Sequence, residues 1–299
     1  MSIRDIEKAA YGMFLMSLMK VCGKDAAKCF DARLRFNRKL NLKHPETLAD
    51  KVVWLENHKA SPLISKCTDK LGVRTYVRQK MGGADVLAPV YDENGWTTAD
   101  TIPFDKLPNS FALKATHGCK MNYICKDKNA ADITAIKKLA NQWLHTTYGT
   151  YSGEWHYLDI PHRVYCEQYL GDADKMIDYK FYCLNGTPTF VLVCSNRKAE
   201  SKGMRVVLDL FDMQWNPISA LKASGLGVPG DGKITRPPEF DRMKAIASIL
   251  SKDFPFVRVD LYDIHGKVYF GELTFTPSNG IFNHYTDDFL LSMGKRLNI

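Results

Sequence analysis

Apolar residues recur at helical spacing in the first stretch of the chain, where Ile3, Ile6, Ala10, Met13, Phe14 and Leu18 fall along one side of residues 3–22. That spacing predicts a Met-rich helix packed on the main body; docking to a membrane surface or a partner is the alternative. Residues 31–59 are basic and helix-prone, with Pro45 as a boundary, and 63–81 read as helix, turn at Gly72, helix. The period then shortens. VLAPVY (86–91) predicts a short strand, and 97–110 is a loop with a short helix, punctuated by Pro103 and Pro108. FALKATHG (111–118) alternates and ends in glycine, and NYICKD (122–127) returns from it. A helix is expected over 131–147, with Ile133, Ile136, Leu139, Ala140 and Trp143 along one face. VYCEQYL (164–170) is a strand, and DYKFYCLNGTPTFVLVCS (178–195) makes two strands about Asn185-Gly186. Another strand (206–213), a helix (238–251) and a hairpin (256–275) complete the chain. The pattern predicts a helical amino-terminal region and an α+β body with mostly antiparallel strands.

The last hairpin, FVRVDLYDIHGKVYFGELTF, concentrates the chemistry. With Ile264-His265-Gly266 as a three-residue loop, Asp260 faces Phe270 and Arg258 faces Glu272. Alternation then places Phe256, Arg258, Asp260 and Tyr262 on one face with Phe270, Glu272 and Thr274, and leaves Val257, Val259, Leu261, Tyr269 and Leu273 on the other. Two diagonal carboxylates can hold Mg²⁺ through oxygen ligands while leaving room for phosphate, and Arg258 can neutralise a transferring phosphoryl group. The ordinary alternative is a solvated face. A loop of two or four residues would put Asp260 and Glu272 on opposite faces.

Composition changes this picture little. The chain has 299 residues, 45% hydrophobic and 25% charged, enough for one large or two medium domains. Net charge of +8 suits an anionic partner, but the basic residues are scattered, which argues against nucleic acid. None of the eight cysteines forms a CxxC pair or zinc-ligand spacing with histidine, and Cys166, Cys183 and Cys194 lie in apolar strand-like runs. With no signal-peptide pattern and no apolar run long enough to span a bilayer, a cytoplasmic location is expected, with peripheral association at the inner membrane face as an option.

Away from the hairpin the signals are individually weak. Lys114 ends a strand beside Thr116-His117-Gly118, where a point charge suits nucleotide phosphates. Lys180 alternates between Tyr179 and Phe181, and Glu167 and Tyr169 share a face. There is no Walker A run and no GxGxxG. His156, His162, His265 and His284 read as structural or exposed, and Trp155 and Tyr157 as core or as the lining of an acceptor groove.

In order, these stretches resemble the teichuronopeptide-biosynthesis (TupA-like) ATP-grasp family from about residue 40 to the end. The resemblance is carried by TDKLGVRTYV (68–77), LPNSFALKATHG (107–118), SGEWHY (152–157), EQYL (167–170), DYKFYCLNGTP (178–188) and DFPFVRVDLYDIHGKVYFGELTFTP (253–277). It implies an ATP-grasp fold of two α+β lobes with mostly antiparallel sheets and a helical amino-terminal extension, clamping ATP. The implied boundaries are a helical region over 1–62, a first lobe with the phosphate loop over 63–163, and a second lobe with adenine hinge and metal site over 164–299. By the same resemblance Lys114, with Lys70 as a weaker candidate, contacts ATP phosphates beside His117 and Gly118. Glu167, Tyr169 and Leu170 look like the adenine hinge, Lys180 and Arg258 like the cations near the transferring phosphate, and Asp260 and Glu272 like the Mg²⁺ carboxylates. The loop here is His117-Gly118-Cys119-Lys120-Met121, poorer in glycine than the HGSGG form usual in such proteins. Thr274 stands where asparagine is common, with Asn279 as a substitute ligand.

The implied reaction activates a carboxylate as an acylphosphate for attack by an amine. The implied partners are a sugar carboxylate of an acidic surface polysaccharide and an amino acid or peptide, with contact to membrane-bound glycan assembly machinery. Arg33, Arg35, Arg38, Lys39 and Lys43 are candidate cations for such a glycan, or simply a solvated face. A sugar kinase and a non-catalytic nucleotide- or glycan-binding protein are the alternatives.

Overall fold

The computed structural model describes residues 3–83, 85–171, 176–200 and 203–299. Helix α1 (Ile3–Phe36) is broken at Gly23, whose φ of 87° and ψ of 166° are not helical, so the expected end near Cys22 is a turn into a second helical segment. The basic stretch after it is not one helix. Asn37 adopts φ 50°, and an irregular link runs to α2 (Leu48–His58). There Thr47 accepts from the Asp50 backbone N–H while the Asp50 carboxylate accepts from Thr47 N–H, a reciprocal cap. Helices α3 (Pro62–Thr68) and α4 (Gly72–Met81) follow as expected.

Two sheets form the body. The smaller has the order β2-β1-β3, with β1 Phe111–Ala115, β2 Asn122–Cys125 and β3 Val164–Gln168; α5 (Ile133–Leu144) packs on it, and the short α6 (Tyr148–Ser152) follows. The larger has the order β7-β6-β5-β4-β8-β9: β4 Asp178–Leu184, β5 Thr187–Glu200, β6 Gly203–Asp212, β7 Val228–Pro229, β8 Phe256–Ile264 and β9 Lys267–Thr274. All its pairings are antiparallel except β6 with β7. Asn185 and Gly186, at φ 52° and 72°, make the expected tight β4–β5 turn. Cys166, Cys183 and Cys194 are buried in β3, β4 and β5.

The large sheet is buried on both faces. One face, through Phe181, Val191, Val257, Val259 and Leu261, packs on α4 and α7 (Phe240–Ser251). The other, through Tyr182, Phe190, Leu192 and Phe256, packs on α2 and α8 (Asp287–Arg296). The partition of elements differs from the sequence expectation. β3 pairs with β1, so it belongs to the small sheet, while residues 63–81 pack on the large one. VLAPVY is not a strand. Val86 O accepts from Phe270 N at 2.6 Å, and Pro89 O accepts from Gln168 N at 2.8 Å, so the segment joins the two sheets. Its prolyl nitrogen cannot donate, which keeps it from a regular ladder.

Candidate active site

The β8–β9 hairpin departs from the expected register twice, and the departures cancel. Ile264 pairs with Lys267, so the turn is the two residues His265 and Gly266, at φ 55° and 78°. That turn alone would send Asp260 and Glu272 to opposite faces. A bulge intervenes: Leu261 pairs with Phe270 but Asp260 pairs with Glu272, leaving Gly271 as the extra residue. A Cβ there would lie 2.8 Å from Tyr262 Cε2 and 3.1 Å from Asp260 O, so glycine suits the position. Phe270 consequently sits with Leu261 in the apolar core, not beside Glu272.

Two rungs of side chains result. Lys180, Asp260 and Glu272 are cross-strand neighbours on β4, β8 and β9, and Tyr182, Arg258 and Thr274 form the rung beside them. Asp260 is 1% exposed. Arg258 grips it with two bonds, Nε to Oδ1 at 2.6 Å and Nη2 to Oδ2 at 2.7 Å, while Lys180 Nζ bonds Oδ2. Arg258 Nη2 also reaches Glu272 Oε1 at 2.9 Å and Thr274 Oγ1 at 3.0 Å, and the Thr274 hydroxyl donates to Glu272 Oε1 at 2.8 Å. Burial alone would raise the Glu272 carboxyl, but Arg258, then Lys180 and Lys70, pull it down to about 2. Burial works against a charged Lys180, and the Asp260 carboxylate overrides it to leave the ammonium more firmly protonated than usual. Arg258 is held charged in the same way.

The loop at Gly118 lies on the side facing these rungs. Lys70 Nζ donates to Gly118 O at 2.6 Å, and its charge acts on both Glu272 and Cys119. Beside it, Asp69 pairs with Arg163 at 2.7 Å, which ties the start of α4 to the small sheet. Lys120 has φ 60° and is exposed. His117 is not on this surface. Its ring is 1% exposed, Nε2–H donates to Trp143 O at 2.9 Å, and it stacks on His162 with centroids 3.9 Å apart. Burial lowers its pKa to about 4, so it is a neutral packing residue.

Lys114 and Glu167 are ion-paired on the small sheet. Tyr165, the register partner of Lys114, is buried within electrostatic reach of both Glu167 and Glu272. Tyr169 and Leu170 follow the end of β3 and are half-buried. Asn279 does not join Thr274; its amide donates to Ser152 O at 2.7 Å. Trp155 and Tyr157 are buried and act as core. Of the candidate glycan cations, Arg35 pairs with Asp31 and Arg38 with Asp287.

Two groups escaped the sequence reading. Arg74 on α4 is 6% exposed, donates to Ala88 O at 2.8 Å and senses Glu167. Its place within TDKLGVRTYV was the available signal. Glu154 of SGEWHY is buried, and burial raises its carboxyl; Thr276, two residues past Thr274, donates to Glu154 Oε1 at 2.5 Å.

The donor types suit Mg²⁺. Glu272 is 38% exposed and Thr274 adds a hydroxyl beside it, while both oxygens of the adjacent Asp260 are bonded to Arg258 and Lys180 in this structure and would have to exchange one of them for a metal. No cluster of three or more His, Cys, Asp or Glu suited to a metal occurs among the described residues. Mg²⁺ typically takes one or two carboxylates together with substrate phosphates and water, so two suffice.

The chain matches a family model described as TupA-like ATPgrasp over residues 50–297. No curated protein matches it. Among solved structures, D-alanine–D-alanine ligase from Bacillus anthracis complexed with ATP is 13% identical, with 79% of this chain and 64% of that chain covered and a TM-score of 0.44. The ATP-grasp ligase PsnB complexed with minimal precursor is 11% identical, with 83% and 67% covered and a TM-score of 0.45. N5-carboxyaminoimidazole synthase from Aspergillus clavatus, complexed with ADP and 5-aminoimidazole ribonucleotide, is 10% identical, with 70% and 44% covered and a TM-score of 0.40. The chain thus spans less than two thirds of the first and last of these proteins.

Proposed function

Because the chain belongs to the TupA-like ATP-grasp family, whose model it matches over residues 50–297, we propose that it is a Mg-ATP-dependent carboxylate–amine ligase. The substrate carboxylate is a uronic acid of a bacterial surface polysaccharide, and the amine comes from an amino acid or peptide. The observation that supports this best is the pair of rungs, Lys180–Asp260–Glu272 and Arg258–Thr274, facing Lys70 and the Gly118 loop.

A carboxylate oxygen attacks the γ-phosphorus, the bond to ADP breaks, and an acylphosphate forms. The amine then attacks the acyl carbon, and phosphate leaves as the amine sheds a proton. Mg²⁺, when bound, supplies charge neutralisation at the phosphates. Asp260 and Glu272 would hold it, with the Thr274 hydroxyl beside them. Arg258 and Lys180 are kept charged by their neighbours, so they offer fixed positive charge to the transferring phosphoryl group and hold no labile proton. Lys70 and Lys114 serve the ATP phosphates together with the Gly118 loop, and Glu167, Tyr169 and Leu170 serve the adenine side. An acceptor assembled at the membrane places the protein at its inner face.

Calorimetric titration of Mg-ATP into the wild type and Glu272→Gln tests the nucleotide site. Phosphate release from a uronic acid that depends on an added amine tests the ligase. Absence of Mg-ATP binding by the folded wild type sinks the proposal, and phosphorylated sugar formed without amine would assign a kinase instead.

A further inference from the structure

The amino-terminal helix pair takes no part in the site above, yet it carries five of the eight large hydrophobic side chains that are exposed among the described residues. The segments on either side of Gly23 lie side by side. Tyr11 Oη donates to Asp31 Oδ1 at 2.6 Å, and the rings of Phe14 and Phe30 are 5.4 Å apart. Their inner face, through Leu15 and Ala27, packs on Trp155. Their outer face shows Met13 at 68% exposure, Phe14 at 48%, Val21 at 84%, Phe30 at 40% and Leu34 at 61%. Ala10, Met13, Phe14, Ser17 and Val21 share one side of the first segment, and Ala26, Phe30 and Leu34 one side of the second. The contact between Phe14 and Phe30 makes these a continuous apolar surface.

Charge indicates what covers it. Lys20, seven residues beyond Met13, and Arg33, three beyond Phe30, fall on the same faces and are exposed, as is Lys8. Between Lys8 and Phe36 there are two acids: Asp31 is buried against Tyr11 and Arg35, and Asp25, its side chain 42% exposed, bonds Asn57 and His58 on the side away from Phe30. Glu7, three residues before Ala10 and seven before Phe14, falls at the start of the same face and is exposed, so the exposed charge around the patch is mixed but net positive. A second copy of this face would set two net-positive surfaces against each other across a two-fold interface. Lipid phosphates would instead neutralise them.

We propose that the outer face of α1 docks on an anionic lipid bilayer, with Met13, Phe14, Val21, Phe30 and Leu34 entering the acyl boundary and Lys20 and Arg33 at the headgroups. The proposal is independent of the ligase chemistry.

Co-sedimentation of the full chain with vesicles tests it, using phosphatidylcholine alone or mixed with phosphatidylglycerol. Binding is expected to the mixed vesicles and to weaken with salt. Phe14→Asp/Leu34→Asp should lower partitioning by about tenfold or more, since two apolar anchors are lost. Lys20→Glu/Arg33→Glu should abolish the preference for phosphatidylglycerol. All four substitutions are on the surface, and retained Mg-ATP binding would report an intact fold. No binding to mixed vesicles, or binding that neither variant changes, would overturn the proposal. So would a concentration-dependent dimer in light scattering that Phe14→Asp dissolves, which would assign the face to a second copy. Vesicle binding without Mg-ATP binding would leave the docking surface standing and remove the ligase reading.

Discussion

On the large sheet, two cations share two carboxylates across adjacent rungs, and Asp260 at their centre is 1% exposed. On the small sheet, Lys114 meets Glu167 as a single ion pair, with side chains 29% and 14% exposed and Arg74 within electrostatic reach of the carboxylate. The first arrangement is a network centred on the buried Asp260, with Glu272 at its edge 38% exposed, so removing Asp260 strands Lys180 and Arg258. In the second, Lys114 at 29% exposed can be rehydrated when Glu167 is lost, and Glu167 keeps Arg74 within electrostatic reach when Lys114 is lost. The two sheets should therefore respond differently to the same kind of substitution.

The largest effect is expected for Asp260→Asn. It leaves Lys180 and Arg258 buried without their shared anion, at a cost of about 3–5 kcal/mol in unfolding free energy, read by denaturant titration. Mg-ATP-dependent turnover should fall by about two orders of magnitude or more. Full stability with unchanged turnover would show that the network is dispensable. Next comes Gly271→Val, which targets geometry and leaves every charge in place. A branched side chain must displace the Tyr262 ring and press on Asp260 O. A loss of about 2 kcal/mol is expected, with weakened Mg-ATP binding as the bulge shifts. If the bulge tolerates valine, binding will be unchanged and the register is held by other contacts.

Gly271 also shows how far the site could be read from sequence. Alternation in VRVDLYD and the paired carboxylates were visible, and they assign Arg258, Asp260, Glu272 and Thr274 to one face, as the structure has it. The route assumed a three-residue loop and no bulge, and the two departures compensate. An isolated glycine inside a strand was the available signal. Phe270 was misplaced for the same reason. His117 was misassigned because its position beside Gly118 says nothing about rotamer, and the α5 carbonyl that captures it lies 26 residues further along. Arg74 and Glu154 were missed because burial of a charge depends on partners distant in sequence. The element order was legible almost throughout, except for 86–91, where proline turns an apparent strand into a link between sheets.

The third prediction concerns pH. His117 and His284 are each held neutral by burial, with pKa values lowered from 6.5 to about 4. The unfolded chain binds a proton at each near pH 6.5 while the folded chain resists until about pH 4. Stability is therefore fully present above the unfolded value and is lost as pH falls through that window. Each contributes on the order of 2 kcal/mol. Denaturant melts at pH 7 and 4.5 check this, and His117→Gln should flatten part of the slope. A slope unchanged by the substitution would place the proton uptake elsewhere.

The smallest stability change is expected on the small sheet, where it separates structure from ligand binding. Lys114→Met should cost under about 1 kcal/mol, because Arg74 stays within electrostatic reach of Glu167. On the proposed role of the ammonium as a point charge for phosphate, its effect on Mg-ATP affinity should be larger, about tenfold. Glu167→Gln frees Lys114 without removing it, so phosphate affinity should hold or rise while any contact to adenine or ribose is weakened. A double substitution then decides the coupling: additive losses mean the two residues serve different parts of the nucleotide. A combined loss no greater than that of Lys114→Met would mean Glu167 acts only by holding the lysine in place.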